Sequence, residues 1–375
     1  MTTGQQGLPL QQEETMEFGY FTLSDNIYPE IKRTPEQFVL DIRAEAIHAD
    51  KIGMHSAWIG EHHFDSLGVN SCPHMVLASI VPETKNIRLA PAVAVLPLHH
   101  PLRVAEEWAT LDLLSGGRVD FAVGRGYDRR EYVPFNAEYM DSLELLDEGC
   151  EIIKKAWESP GKWSHKGKFF EIPEMAITPR PVQKKLPFYM ACFSRASMEI
   201  AGRRGLDIIF APFAAALTFG DLGQAVTAYR DECAKFGTKP GKAMCSYFIH
   251  IGEGKEEDYG RERQMAYFNN CVLPAFHQEP GKTPPTMLYF LKIVDILKNM
   301  KKEDLGSKSI LLGSPQKIID TLKTVEAGGI EEVILYFNVG GKPHNLVKEQ
   351  MNRFMEEIAP AFEGSHKKFR LQAAE

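Results

Sequence analysis

Eight short apolar runs separated by longer amphipathic stretches recur between residues 16 and 340, and this alternation constrains the chain more than anything else in its sequence. A short apolar run followed by a stretch with apolar residues at helical spacing is the signature of a strand and its crossover helix, and so of a parallel sheet. The runs are 16–22, 56–61, 87–97, 118–124, 186–193, 207–213, 243–252 and 331–340. After the first, Thr34-Pro35-Glu36 opens a helix on which Phe38, Ile42, Ala46 and Ile47 recur at helical spacing, and Gly53 ends it. Further helices are expected from Pro73 and over 101–114, 139–157, 197–204, 218–236 and 315–327. Eight such units argue for an α/β fold of the (β/α)8 TIM-barrel type rather than a doubly wound sheet, because no GxGxxG stands between the first strand and the first helix.

The repeat lapses twice. Residues 163–187, rich in Trp, Phe, Pro and Lys, read as an insertion over the barrel, and 253–310 are too long for one crossover and read as a lid-like excursion. The chain has 375 residues, within the range of a barrel with insertions, so one barrel domain is expected over 16–365. The polar, Gln-rich residues 1–15 read as a flexible extension, and 366–375 as a tail. With 43 basic against 50 acidic residues the net charge is −7 and no long basic run appears, which argues against a nucleic-acid partner. Six cysteines without a CxxC pair read as reduced thiols. No secretory signal or membrane-length apolar run is present, so the expectation is a soluble cytoplasmic protein without a membrane partner.

In such a barrel the functional residues lie at the carboxyl ends of strands. The second strand ends in Glu61-His62-His63-Phe64-Asp65. Adjacent residues of an extended chain face opposite sides, so one of the two histidines faces the barrel axis, as a general base or as an imidazole satisfied in the rim. His62 and His63 with His99 and His100 could gather around a cation, but strands five to eight end in Phe193, Phe213 and Phe337 rather than in a carboxylate. No metal is therefore expected, and His99 and His100 are read as polar rim before Pro101. The fourth strand ends in Gly124-Arg125-Gly126-Tyr127, where glycines let the backbone approach a ligand and the arginine can bind a phosphate oxygen. The fifth is followed by Ser194-Arg195-Ala196-Ser197 at a helix start, which suits a plain N-cap or an anion site. Two hydroxyls and an arginine on one rim favour a phosphate-bearing cofactor, whereas Gly313-Ser314-Pro315 reads as an ordinary helix start.

Three segments, Trp-Ile-Gly-Glu-His-His-Phe at 58–64, Leu-Ser-Gly-Gly-Arg-Val-Asp-Phe-Ala-Val-Gly-Arg-Gly at 114–126 and Phe-Ser-Arg-Ala-Ser at 193–197, resemble the bacterial luciferase-like flavin monooxygenase family. The resemblance implies a (β/α)8 barrel with reduced FMN, used as a cosubstrate, across its mouth. It assigns Arg125, Ser194 and Ser197 to the phosphate, with Gly126 and Tyr127 beside them, and His62 to the active-site base. Ala92-Val93 matches a non-proline cis peptide beneath the flavin ring. The implied reaction takes reduced FMN from a separate NAD(P)H-dependent reductase, forms a C4a-hydroperoxide with O2 and oxygenates a small organic substrate. Aromatic strand ends (Tyr20, Phe64, Tyr127, Phe193, Phe213, Phe248) favour an apolar or aromatic substrate. The family implies a homodimer or higher homo-oligomer. Gly124 departs from members with a reactive cysteine there, while an acidic residue falls near Glu131 in both, and no light emission is expected. The alternatives are a deazaflavin (F420)-dependent reductase or dehydrogenase on the same barrel, a metal-dependent hydrolase built on His62 and His63, and a catalytically silent flavin-binding homologue.

Overall fold

The computed structural model describes residues 16–64, 67–276, 278–279 and 281–362; the expected extension at 1–15 and tail at 366–375 lie outside the described residues. Twelve strands follow in chain order: β1 (Glu17–Thr22), β2 (Ser56–Ile59), β3 (Arg88–Pro91), β4 (Ala94–Val95), β5 (Phe121–Gly124), β6 (Trp163–Lys166), β7 (Glu171–Met175), β8 (Phe188–Ala191), β9 (Asp207–Phe210), β10 (Ala243–Ile251), β11 (Ile310–Gly313) and β12 (Glu332–Tyr336). Ten form one sheet of parallel pairs along the path β3-β2-β1-β12-β10-β9-β8-β5-β4, with β11 on β10. The sheet closes where Leu89 of β3 bridges Val119, just before β5, in parallel, with Leu89 N–H donating to Arg118 O at 2.8 Å and Asp120 N–H to Leu89 O at 3.0 Å. The result is the eight-unit barrel that the alternation predicts.

The local signals act as expected where their chemistry is strong. Thr34 caps the helix Pro35–Lys51 by accepting from the Gln37 N–H, and Phe38, Ile42, Ala46 and Ile47 are buried. The expected strand 87–97 is two pieces, β3 and β4, separated at Ala92-Val93, whose peptide is cis. After that break the chain leaves β2 and pairs with β5, Ala94 opposite Val123.

The structure adds detail to the two expected lapses of the repeat and corrects one expected helix. The insertion at 163–187 contains an antiparallel hairpin, β6 with β7, and Glu148 anchors its turn by accepting from the N–H groups of Lys168, Phe169 and Phe170. The helix expected over 218–236 is two helices, Pro212–Phe219 and Leu222–Phe236, broken at Gly220, where φ is 106° and Asp221 caps the second. The excursion at 253–310 is largely helical, with Lys255–Tyr267 and Tyr289–Asn299 as its main helices, and it returns in a strand the sequence reading passed over. That strand, β11, pairs with the upper half of β10, Phe248 opposite Ile310 through Ile251 opposite Gly313. No helix among the described residues is long and apolar enough to cross a membrane.

Apolar packing forms two shells, one between sheet and helices around Phe18, Ile42, Leu89 and Trp108, the other inside the barrel around Trp58, Tyr189, Met244 and Ile334. At the amino ends of the strands the interior is charged. Fully buried Glu332 meets Lys242 Nζ at 2.6 Å, the same ammonium meets Glu17 at 2.9 Å, and His55 Nε2 lies 3.0 Å from Glu17. Burial alone would lower the His55 pKa, but the charge of Glu332 and the hydrogen bond and charge of Glu17 outweigh it and the repulsion of Lys242, so the pKa rises. A raised histidine pKa stabilises the fold below the ordinary value of about 6.5 and loses that contribution as pH rises through the raised one. Thermal melts across this range should show Tm declining with pH, and His55→Gln should flatten the decline. An equal decline in the variant would assign it to other groups.

Candidate active site

Just past β2 the two histidine rings take different partners. His62 Nδ1 lies 3.1 Å from Glu131 Oε1, and the same oxygen accepts the His63 backbone N–H at 2.8 Å. Glu131 comes from the short helix Arg129–Tyr132 in the loop after β5 and is 1% exposed. With Nδ1 held, Nε2 is the ring nitrogen of His62 left for a ligand, and His62 lines the large cavity at the barrel mouth. His63 turns instead to Glu61, with Nε2 at 2.8 Å from Glu61 Oε1. His99 Nε2 meets that oxygen at 2.5 Å, and Glu61 Oε2 accepts the Val95 N–H at 3.0 Å. Burial opposes ionisation of Glu61, but hydrogen bonds from His63 and His99 and their charges prevail, lowering its pKa to about 2. His99, read from sequence as unassigned rim, thus meets a buried carboxylate, Glu61, on the histidines' own strand end. His100 stays apart, accepting from the Leu102 N–H as a helix cap.

Arg125 follows β5 and is 6% exposed. Its Nη1 donates to Thr286 Oγ1 at 2.6 Å and its Nη2 to Thr286 O at 3.3 Å. No carboxylate among the described residues forms an ion pair with it, and burial lowers its pKa. Thr286 belongs to the excursion and carries no signal by which sequence reasoning could find it. Ser194 caps the helix Arg195–Arg204, with its Oγ accepting the Ser197 N–H at 3.3 Å and lying 3.2 Å from Ser197 Oγ.

Of the residues singled out from sequence, His62, Ala92, Val93, Arg125, Gly126, Tyr127 and Ser197 line this one cavity, and Ser194 stands behind Ser197. The cavity encloses roughly 1470 Å³ including its open mouth. Its wall is predominantly apolar and rich in aromatic rings, with Phe193, Phe213 and Phe248 from the strand ends and Phe276, Tyr289 and Phe290 from the excursion. Two of the aromatic strand-end residues do not contribute: Tyr20 faces the outer shell and donates to Glu45, and Phe64 is 61% exposed. Glu131 was noted in sequence only as a nearby acid, four residues after Tyr127; its contact with His62 depends on the loop.

Residues 16–332 match the model of a family described as luciferase-like monooxygenase. The chain is similar to the oxygenase component of a flavin-dependent trigonelline monooxygenase of Acinetobacter baylyi, 27% identical over 325 residues that cover 84% of this chain and 88% of that one. It is also similar in structure to the oxygenating constituent of 3,6-diketocamphane monooxygenase from Pseudomonas putida, solved with FMN, at a TM-score of 0.69 and 18% identity, covering 92% and 98% of the two chains. An F420-dependent secondary alcohol dehydrogenase, solved with an F420-acetone adduct, gives a TM-score of 0.70 at 17% identity, covering 93% and 100%. At these identities the two structures share the fold alone.

Gly124 also has a local explanation. A Cβ there would stand 2.5 Å from Val93 Cγ2, so the side chain of Val93 takes the space a larger residue would need. Gly124→Ala should therefore destabilise the protein by about 1–3 kcal/mol, the usual range for overpacking. Combining it with Val93→Ala should recover much of the loss in denaturant melts, and an additive double variant would show that the two residues do not compete for space.

Proposed function

The chain belongs to the luciferase-like monooxygenase family and is a flavin-dependent oxidoreductase, and we propose that it is the oxygenase half of a two-component system, using reduced FMN and O2 to oxygenate a small apolar or aromatic molecule. The observation that carries this reading is Arg125, a buried guanidinium in the cavity wall that donates to the neutral acceptors of Thr286 and pairs with no carboxylate among the described residues, so that its charge is left for an anionic ligand. Ser197 lines the same wall at the start of a ten-residue helix, with Ser194 behind it. These groups suit a phosphate, and the aromatic wall suits a flat ring system. Bound reduced FMN would supply the electrons with which O2 is activated for transfer to the substrate.

The chain's own part is binding, positioning and exclusion of water. Arg125 and Ser197 would hold the phosphate, and Ala92, Val93, Gly126 and Tyr127 border the remaining volume. Glu131 fixes the His62 ring through Nδ1, so that Nε2 can hold or take a proton facing the cavity. The excursion covers the aromatic side of the mouth through Phe276, Tyr289 and Phe290 and limits access of bulk water. A separate NAD(P)H-dependent reductase would supply the reduced flavin. A deazaflavin also carries a phosphate, so Arg125 does not separate FMN from F420; transfer of an oxygen atom from O2 to a substrate in the presence of reduced FMN supports the proposal, and substrate reduction with the deazaflavin and no oxygen transfer overturns it.

Replacing Arg125 by Ala should remove about 1.5–3 kcal/mol of charge-assisted binding, weakening reduced FMN roughly ten- to a hundredfold. Riboflavin, which has no phosphate, should bind parent and variant alike, and equal losses for both ligands would make Arg125 a structural residue. His62→Asn should lower turnover by about 10²- to 10⁴-fold with near-normal flavin affinity and Tm. Glu131→Gln should fall between parent and His62→Asn in turnover. A fully active His62→Asn protein would remove this histidine from the chemistry.

A further inference from the structure

We propose that Glu61, His63 and His99 form a binding site for one divalent transition-metal cation of the zinc type, at the end of β2 beside the rim that follows β4. Among the described residues their ligand atoms lie within 4.8 Å of one another. Both imidazoles direct Nε2 at one oxygen, Glu61 Oε1, at 2.8 and 2.5 Å. The other carboxylate oxygen is fixed by the Val95 N–H, an outer hydrogen bond of the kind that orients a metal-binding carboxylate.

The donor set identifies the class of ion. Two imidazole nitrogens and one carboxylate oxygen suit zinc, cobalt and their neighbours, whereas magnesium and calcium favour oxygen ligands. Three protein ligands leave a fourth tetrahedral position for water. Glu61 and His63 are buried, but the His99 side chain is 32% exposed and gives the site an entrance. Phe64 and Phe135 flank the His63 ring at 5.7 and 4.9 Å and form an apolar wall. A cation would take the place of the N–H protons through which the rings now bond Glu61. Its bonds of about 2.0–2.2 Å require the donors to open modestly from their present separations.

A second cluster of the same ligand types shows what distinguishes this one. Glu17, His55 and Glu332 also converge, but Lys242 Nζ lies between the carboxylates at 2.9 and 2.6 Å and already supplies a cation. The ion-pair partners of Glu61 are His63 and His99, both of which can exchange a proton for a metal. Bound there, the ion would cross-link the end of β2 to the rim that follows β4 and brace the segment carrying His62. This proposal does not depend on the flavin reading: of its three ligands only Glu61 borders the large cavity, and its argument uses none of Arg125, Ser197 or His62.

The test uses the full chain after chelator treatment, titrated with Co²⁺ and followed by visible absorption, with Zn²⁺ added to displace it. Saturation at one Co²⁺ per chain with the intense bands of a tetrahedral site is expected. His99→Ala, at a part-exposed position, should weaken binding by about tenfold or more, His63→Gln should do the same, and zinc should raise the Tm of the parent alone. FMN affinity, measured on the same samples, should be unchanged in His99→Ala, which separates failure here from failure of the flavin proposal. Unsaturable binding, or equal Co²⁺ affinity in the parent and a folded His99→Ala or His63→Gln protein, would overturn the site.

Discussion

The two-residue period of an extended chain decides what each member of Glu61-His62-His63 can do, and much of the active-site geometry depends on it. Residues one apart face opposite sides, so the His62 ring reaches Glu131 while the His63 ring turns to Glu61, whose side chain also borders the cavity. Shifting the register by one residue would exchange these roles. Parallel pairing of β1 with β2, Thr22 opposite Ile59, fixes that register two residues before Glu61. The Gly60 N–H donates to Thr22 O at 2.8 Å and carries the constraint toward the strand end.

Electrostatics then divides the barrel by height. At the amino ends of the strands, buried Glu332 is neutralised by Lys242, and the protein answers its own charge internally. At the carboxyl ends, Arg125 is buried without a carboxylate partner among the described residues, in a wall of aromatic side chains. Burying a charge is expensive unless a partner offsets it, so the lower cluster reads as structure and the upper cation as a place prepared for an anionic ligand. Thr286 satisfies some of the guanidinium's hydrogen bonds without cancelling its charge.

Much of the barrel was legible because its signals are local. Apolar runs, proline at helix starts and caps such as Thr34 and Ser194 each act within a few residues. β11 escaped notice because its four residues abut the expected helix start at Ser314-Pro315, and only β10, about 60 positions earlier, makes it a strand. The hairpin of β6 and β7 was hidden similarly: its turn is held by Glu148, a residue of the preceding helix.

The site divides along the same line. Motif residues such as Arg125, Gly126 and His62 lie on strand ends whose direction the barrel prescribes, so spacing alone could gather them on one rim. Thr286, Glu131 and His99 reach these strand ends through loops, and no periodicity relates a loop residue to a strand 38, 69 or 161 positions away. His99 shows the consequence most sharply. The expectation of no metal looks for a carboxylate at the ends of strands five to eight, whereas Glu61 precedes His62 by one residue, and it meets His99 because the chain after Ala92-Val93 moves from β2 to β5 and brings the rim at 96–99 back over the end of β2. A break in one strand therefore sets the composition of a site on its neighbour, a relation that exists only once the barrel has closed.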